Sequence, residues 1–382
     1  MKADEAAAPT AWTRQRERSN RFLLLVMRRL ALALGRRTAR VLLHPIACWF
    51  VLDRATRMHS ARYLSRALAR QATWGDVYRH VHAFASTVLD RVYLLQERFD
   101  EFRFTASGVD AILVPFARGD GVLAFGAHLG SFEALRMIGH DKGLRIAMIM
   151  YEDNARLINE TLAALAPKAE LRTIALGRVD AMLSLRRWLD DGGVAGLLAD
   201  RTLAAGSQRS RLVSIPFLGT PALFADGPFR LAAILKRRVV FMAGLYRGGR
   251  DYELRFVDLA DFGTIDFTGP AGAAARDAAV RAALERYVAT LEALCRDAPY
   301  NWFNFYDFWA DAAHLDERRL ARADPGELGG ERFEVERRSG RGDARRKRAR
   351  AAERHRRDRA APVNSRHRQQ ASRPHRPRSR RS

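Results

Sequence analysis

Gly121-Val-Leu-Ala-Phe-Gly-Ala-His128-Leu-Gly-Ser-Phe-Glu133 is the stretch on which the fold turns. A short apolar run, Val122 to Phe125, ends in small residues and a histidine, and a helical pattern follows from Phe132 to Ile138. A strand that feeds a helix through a tight turn is the unit of a parallel sheet, and side chains just past such a strand stand at the sheet's carboxyl edge. Gly130 and Ser131 supply a turn and an N-cap, and Glu133 falls in the first helical turn, within reach of the His128 ring. A neutral imidazole in that position can take a proton from a hydroxyl as its oxygen attacks a carbonyl, with a carboxylate on the other ring nitrogen fixing the tautomer. The bland alternative is a histidine and an acid that close a turn.

The same alternation extends outward. Apolar runs at Leu144–Met150, Arg172–Leu176, Val194–Ala199, Val239–Leu245 and Tyr252–Val257 predict strands. Asn154–Leu165, Val179–Asp190, Ala225–Leu235 and residues 273–296 carry helical periodicity between or after them. The expectation is an α/β fold, a mostly parallel sheet flanked by helices, over residues 101–312. Before it, residues 21–100 read as helical and membrane-associated, and residues 1–20 as disordered. Phe22–Leu34 is interrupted by Arg28 and Arg29, and Val41–Leu52 is short and holds His44 and Pro45, so neither reaches the roughly 18–20 apolar residues of a spanning helix. Arg21, Arg36, Arg37 and Arg40 beside these runs suit a helix lying among headgroups, against the alternative of ordinary packing on the domain.

The formal charge of the 382-residue chain is +23. Residues 337–382 carry 19 Lys+Arg against 3 Asp+Glu, a net +16, which leaves +7 on the rest. With no hydrophobic periodicity, residues 313–382 read as a basic disordered tail. Arginines alone bind any polyanion, so a nucleic-acid or polyanion binder acting through the tail is a competing reading, although no aromatics interleave there to make a specific nucleic-acid partner. Cys48 and Cys295 form neither a metal-ligand spacing nor a disulfide framework, and no metal or other cofactor is expected. Ser131 lacks a G-x-S-x-G elbow, which argues against a covalent nucleophile. His44, His80, His82 and His140 show no ligand spacing and read as structural or exposed.

Further candidates surround the motif. Asp200 and Arg201 follow a buried-looking strand; Arg201 either grips a substrate phosphate or closes a loop with Asp200. Arg209 and Arg211 are phosphate candidates or solvated surface. Gly219 and Thr220 open a turn before the next helix, where backbone amides either bind an anion or simply turn the chain. The segment Pro299–Trp309, rich in Trp, Phe and Tyr, lines an apolar channel, meets a membrane interface or packs the core.

In order and spacing, Gly126-Ala-His128-Leu-Gly-Ser-Phe-Glu133 resembles the H-x4-D/E motif of the lipid A late acyltransferases, within the lysophospholipid acyltransferase superfamily. Gly193–Arg201 is similar to that group's strand before an Asp-Gln pair, with the departure that the pair here is Asp200-Arg201. Ile215-Pro-Phe-Leu-Gly-Thr-Pro221 is similar to its F-F-G-x-P/A segment. The closing Asn301–Trp309 cluster resembles a subgroup from aryl polyene systems. The resemblance spans about residues 20–310. It implies an acyl carrier protein or coenzyme A thioester as donor, a lipid hydroxyl as acceptor, and a place at the cytoplasmic side of the inner membrane. It also implies His128 as base, with Glu133 its partner. A hydrolase of the same shape, with water replacing the alcohol, is the remaining alternative.

Overall fold

The structure is a computed structural model that describes residues 21–151, 172–176, 179–201, 211–269, 271–310 and 312. The expected helix at 154–165, the termini 1–20 and 313–382, and Arg209 lie outside the described residues.

Seven strands form the main sheet: β1 (Arg103–Ser107), β2 (Val122–Gly126), β3 (Ile146–Tyr151), β4 (Arg172–Leu176), β5 (Val194–Leu198), β8 (Arg238–Gly248) and β9 (Asp251–Asp261). Their order is β1-β9-β8-β2-β5-β3-β4, and only β8 and β9 pair antiparallel. The mostly parallel α/β sheet is therefore present. Between β5 and β8 a separate hairpin, β6 (Leu212–Phe217) and β7 (Thr220–Ala225), interrupts the alternation.

Strand residues alternate between two cores. Leu123 and Phe125 of β2, Val239 and Phe241 of β8 and Leu197 of β5 share one cluster, packed by α6 (Val179–Asp190), α7 (Gly227–Ile234) and α8 (Gly272–Asp297). Val122, Ala124, Val194, Val240 and Met242 face the other, against α4 (Asp110–Ala117), α5 (Arg136–Lys142) and the N-terminal helices. Burial on both faces explains why these strands read as continuous apolar runs.

The N-terminal helices are α1 (Arg21–Leu52), α2 (Arg54–Ala67) and α3 (Trp74–Leu94). Gly35 (φ 75, ψ 156) breaks α1. Immediately after the break, Arg36 turns inward, 6% exposed, and donates from Nε and Nη2 to the two oxygens of buried Asp90 at 2.7 and 2.9 Å. Its Nη2 also donates to the Gly249 carbonyl, and Tyr252 Oη donates to Asp90 at 2.9 Å. Arg40 donates to Tyr246. So two of the arginines read from sequence as headgroup partners instead clamp α1 to the β8–β9 hairpin.

The rest of α1 is apolar on both its inward and its outward side. Ala39, Leu43, Ala47 and Val51 are buried, four residues apart, while Leu42, Ile46, Trp49 and Phe50 are exposed, Trp49 at 73%. No helix among the described residues is long and apolar enough to cross a membrane.

Candidate active site

The register of the sheet assembles the site. β2 and β5 pair parallel with Val122 opposite Val194 and Gly126 opposite Leu198, a constant separation of 72 positions. Two residues past each strand end, the same offset sets His128 beside Asp200. The ladder continues one step, Ala199 N–H donating to the Gly126 carbonyl at 3.0 Å. The connection leaving β2 leads to β3, beyond β5, whereas the one leaving β5 leads to β8, beyond β2. Connections that part in opposite directions leave a crevice at the strand ends, where open α/β sheets place their ligands.

Asp200, fully buried, accepts at Oδ1 from His128 Nδ1 (2.8 Å) and at Oδ2 from three donors: His128 N–H (3.0 Å), Trp302 Nε1 (3.0 Å) and Asn304 Nδ2 (3.2 Å). Burial alone would raise its pKa; the His128 ring and Arg201 outweigh that and hold the carboxyl well below the usual range. An ionised carboxylate only accepts, so Nδ1 of His128 carries the ring proton and Nε2 is left with its lone pair. The ring, 27% exposed, is pulled below the ordinary imidazole pKa, chiefly by desolvation, against the attraction of Asp200 and with the repulsion of Arg201 and Arg91. The imidazole is thus uncharged at neutral pH.

The turn after His128 is fixed by contact. Gly130 (φ 71) crosses β8 at Gly244, and a Cβ there would lie 2.0 Å from the Gly244 carbonyl oxygen. Residues 128–130 then run beside the aromatic segment: Phe303 N–H donates to the His128 carbonyl (2.7 Å) and Gly130 N–H to the Asn301 carbonyl (2.8 Å). Trp302, fully buried, packs on Tyr63, Phe217, Phe308 and Trp309. Its carbonyl accepts from Nε2–H of buried His80 (2.9 Å), so His80 Nδ1 accepts from the Ser60 hydroxyl (2.8 Å). Of the three readings of Pro299–Trp309, core packing holds for Trp302, Phe308 and Trp309, and the segment additionally secures Asp200.

The expected His128–Glu133 pairing is corrected: the carboxylate on the imidazole is Asp200. Phe132 and Glu133 do not enter an α-helix directly; a 3-10 turn, Glu133–Leu135, precedes α5 and points the carboxylate elsewhere. Glu133 Oε1 lies 2.7 Å from Arg91 Nε on α3, and Oε2 accepts from Ser131 Oγ at 3.1 Å.

Arg201 is beside the pair, its Nε donating to Asn304 Oδ1 (3.0 Å) and its guanidinium over the Tyr306 ring. Arg211 is exposed, and its backbone N–H is held by Asp226. Gly219 and Thr220 do not precede a helix. Leu218 (φ 50) and Gly219 (φ 79) form the two-residue turn of the β6–β7 hairpin, and Thr220 Oγ1 accepts from Arg66. That hairpin reaches the site through Phe217, behind Trp302. Asp200 is visible in the sequence as a residue at a strand end; Arg91, Trp302 and Asn304 give no local signal of a role there. Among the described residues no cluster of His, Cys, Asp or Glu could hold a metal ion.

An imidazole held by a buried carboxylate at the strand ends of an open α/β sheet is an arrangement suited to proton transfer. Comparison with family profiles gives the family: residues 20–302 match the bacterial lipid A biosynthesis acyltransferases, and the chain belongs to that family. It is accordingly an acyltransferase that acts on lipid substrates. No curated protein matches the chain.

Proposed function

We propose that the chain moves a fatty acyl group from an acyl carrier protein or coenzyme A thioester to a hydroxyl of a lipid acceptor, lipid A-like or another glycolipid or lysolipid. The observation that carries this reading is the ionised Asp200 on Nδ1 of His128, which leaves Nε2 free to act as base.

As the acceptor oxygen attacks the thioester carbonyl carbon, its proton passes to Nε2 and the carbonyl π pair moves onto oxygen. Asp200 stabilises the imidazolium without taking its proton. When the tetrahedral intermediate collapses, the C=O bond reforms and the C–S bond breaks. The thiolate leaves with the bond pair and takes the proton from Nε2. No enzyme nucleophile enters. Arg201, anchored by Asn304 beside the pair, is suited to a phosphate of donor or acceptor.

The outward apolar face of α1, where Leu42, Ile46, Trp49 and Phe50 are exposed and exposed Arg37 lies earlier on the same helix, supports peripheral attachment to the cytoplasmic side of the inner membrane. Purified protein supplied with dodecanoyl or tetradecanoyl thioester and a lipid A precursor should form acylated lipid, and His128→Ala should reduce the rate by at least about 10³-fold. Normal transfer by folded His128→Ala ends this reading. Fatty acid release independent of acceptor makes the chain a hydrolase.

A further inference from the structure

The face of the sheet that carries His128 leads down to an apolar cavity. Leu123, Phe125, Ala127 and Leu129 enter one core, so Ala124, Gly126 and His128 alternate onto the other side. Ala195, Leu197 and Ala199 do the same after β5 begins, which sets Gly196, Leu198 and Asp200 on the His128 side. Gly126 is level with Leu198, and Ala124 with Gly196. Ala124 and Gly196 line a cavity of about 30 Å³, with Val194, Ile146 and Leu144 also in its wall. Val194 and Ile146 are the first residues of β5 and β3, so the cavity reaches the amino edge of the sheet, whereas His128 stands past the carboxyl edge. Its one charged wall residue, Arg136, turns its guanidinium to the Leu95 carbonyl and Glu97. A cavity walled by hydrocarbon stays dry and takes apolar ligands.

Two side chains stand between base and cavity. A Cβ on Gly126 would lie 3.7 Å from Met242 Cγ, and one on Gly196 would lie 2.9 Å from Met242 Cε and 3.3 Å from the Phe132 ring. Met242 of β8 therefore crosses the sheet face over Gly126 and ends against Gly196, where Phe132 meets it. Both also line the cavity. Above them, Leu198 is 38% exposed, the one exposed residue of β5 and only two positions before Asp200. A Cβ on Gly126 would lie 3.2 Å from its Cδ2. Apolar surface thus runs from beside the His128–Asp200 pair to the cavity, obstructed by Met242 and Phe132.

We propose that the methyl end of the donor's acyl chain lodges in this cavity, running from His128 past Leu198 and Gly126 while Met242 and Phe132 turn aside, so that Gly196 and Leu144 limit the chain length transferred. The assignment rests on the acyl-transfer reading above and names the seat of the group that moves. The occupant is the donor's chain because the carbonyl carbon attacked beside Nε2 carries that chain, and a lipid headgroup would find no polar partner in the cavity. Four residues of strand separate Ala124 from His128, about 13 Å, a span that an extended medium-length fatty acyl chain covers. Methionine, unbranched with three rotatable bonds, suits the moving part. The space it vacates adds to the cavity, and each methylene buried there contributes about fourfold in affinity.

Transfer from octanoyl to hexadecanoyl thioesters of one carrier to a lipid A precursor, with full-length protein in detergent micelles, tests the assignment. Gly196→Ala puts a methyl group against Met242 and Phe132, and should lower the ratio of kcat/KM for tetradecanoyl over decanoyl about tenfold or more relative to wild type. Leu144→Ala removes bulk at the far end, and should raise the ratio for hexadecanoyl over dodecanoyl about tenfold. If Gly196→Ala does not fold, Leu144→Ala decides alone. Wild-type ratios in the folded variants overturn the assignment, as does a shift that follows the acceptor's chains instead of the donor's. If wild-type protein transfers no acyl group, or folded His128→Ala transfers normally, the acyl-transfer reading itself fails; if only the length ratios stay fixed, this assignment falls alone.

Discussion

Two buried aspartates anchor two regions of this molecule, and their surroundings differ in kind. Asp90 binds Arg36 by two hydrogen bonds, accepts a third from Tyr252, and fixes α1 to the β8–β9 hairpin. Asp200 binds an imidazole, an indole, a carboxamide and a backbone amide at the carboxyl edge of the sheet. Desolvation dominates at Asp90 and raises its pKa despite Arg36, whereas at Asp200 the surrounding donors and charges prevail and lower it. The cation on Asp90 is itself buried, so that cluster is closed and serves attachment. The partner on Asp200 is a ring, 27% exposed, whose second nitrogen has no hydrogen-bond partner among the described residues, so that cluster can exchange a proton. A buried acid is scaffold or machinery according to what its partner can still do.

Exchanging each aspartate for asparagine breaks the comparison most sharply. Asp200→Asn should lower kcat by about 10³–10⁴-fold, because a carboxamide cannot hold the His128 tautomer. Asp90→Asn should instead cost about 3–5 kcal/mol of stability by leaving Arg36 buried and unpaired, while the folded fraction keeps kcat within a few-fold. Denaturation and single-turnover assays on both variants separate the two effects; equal losses of kcat would erase the distinction.

A smaller effect should come from His80, which ties α3 to Trp302. Its burial lowers its pKa from 6.5 to about 4. Between those values the unfolded ring binds a proton that the folded ring refuses, so stability falls as pH drops from 6.5 towards 4, by about 3 kcal/mol in total. His80→Gln should flatten urea midpoints measured across that window; an unchanged slope would remove His80 from the account.

The mildest perturbation concerns the outer face of α1. Trp49→Ser with Phe50→Ser should reduce co-sedimentation with anionic phospholipid vesicles about tenfold or more, with Tm unaltered since both side chains are exposed. Undiminished sedimentation would leave the membrane proposal without its surface.

Much of this architecture is legible in the chain's local patterns. The strands at 122, 146, 172, 194, 238 and 251 and the helices at 179, 227 and 272 follow from local hydrophobic periods. β1 does not: Arg103–Ser107 is an edge strand, largely exposed, with no apolar run to reveal it. The β6–β7 hairpin reads in sequence as a turn before a helix, because Leu218-Gly219 shows its paired strands only through cross-strand contacts.

The sequence by itself determined the α/β alternation, the place of His128 after the first central strand, and the family likeness, because each depends on residues within about ten positions of one another. Only the tertiary structure decided which acid serves the imidazole. Five positions separate His128 from Glu133, yet the chain crosses Gly244 between them and delivers Glu133 to Arg91. Seventy-two positions separate His128 from Asp200, and parallel pairing of β2 with β5 closes that distance to a hydrogen bond. Strand register is a non-local property, set by packing on both faces of the sheet, and no local spacing encodes it.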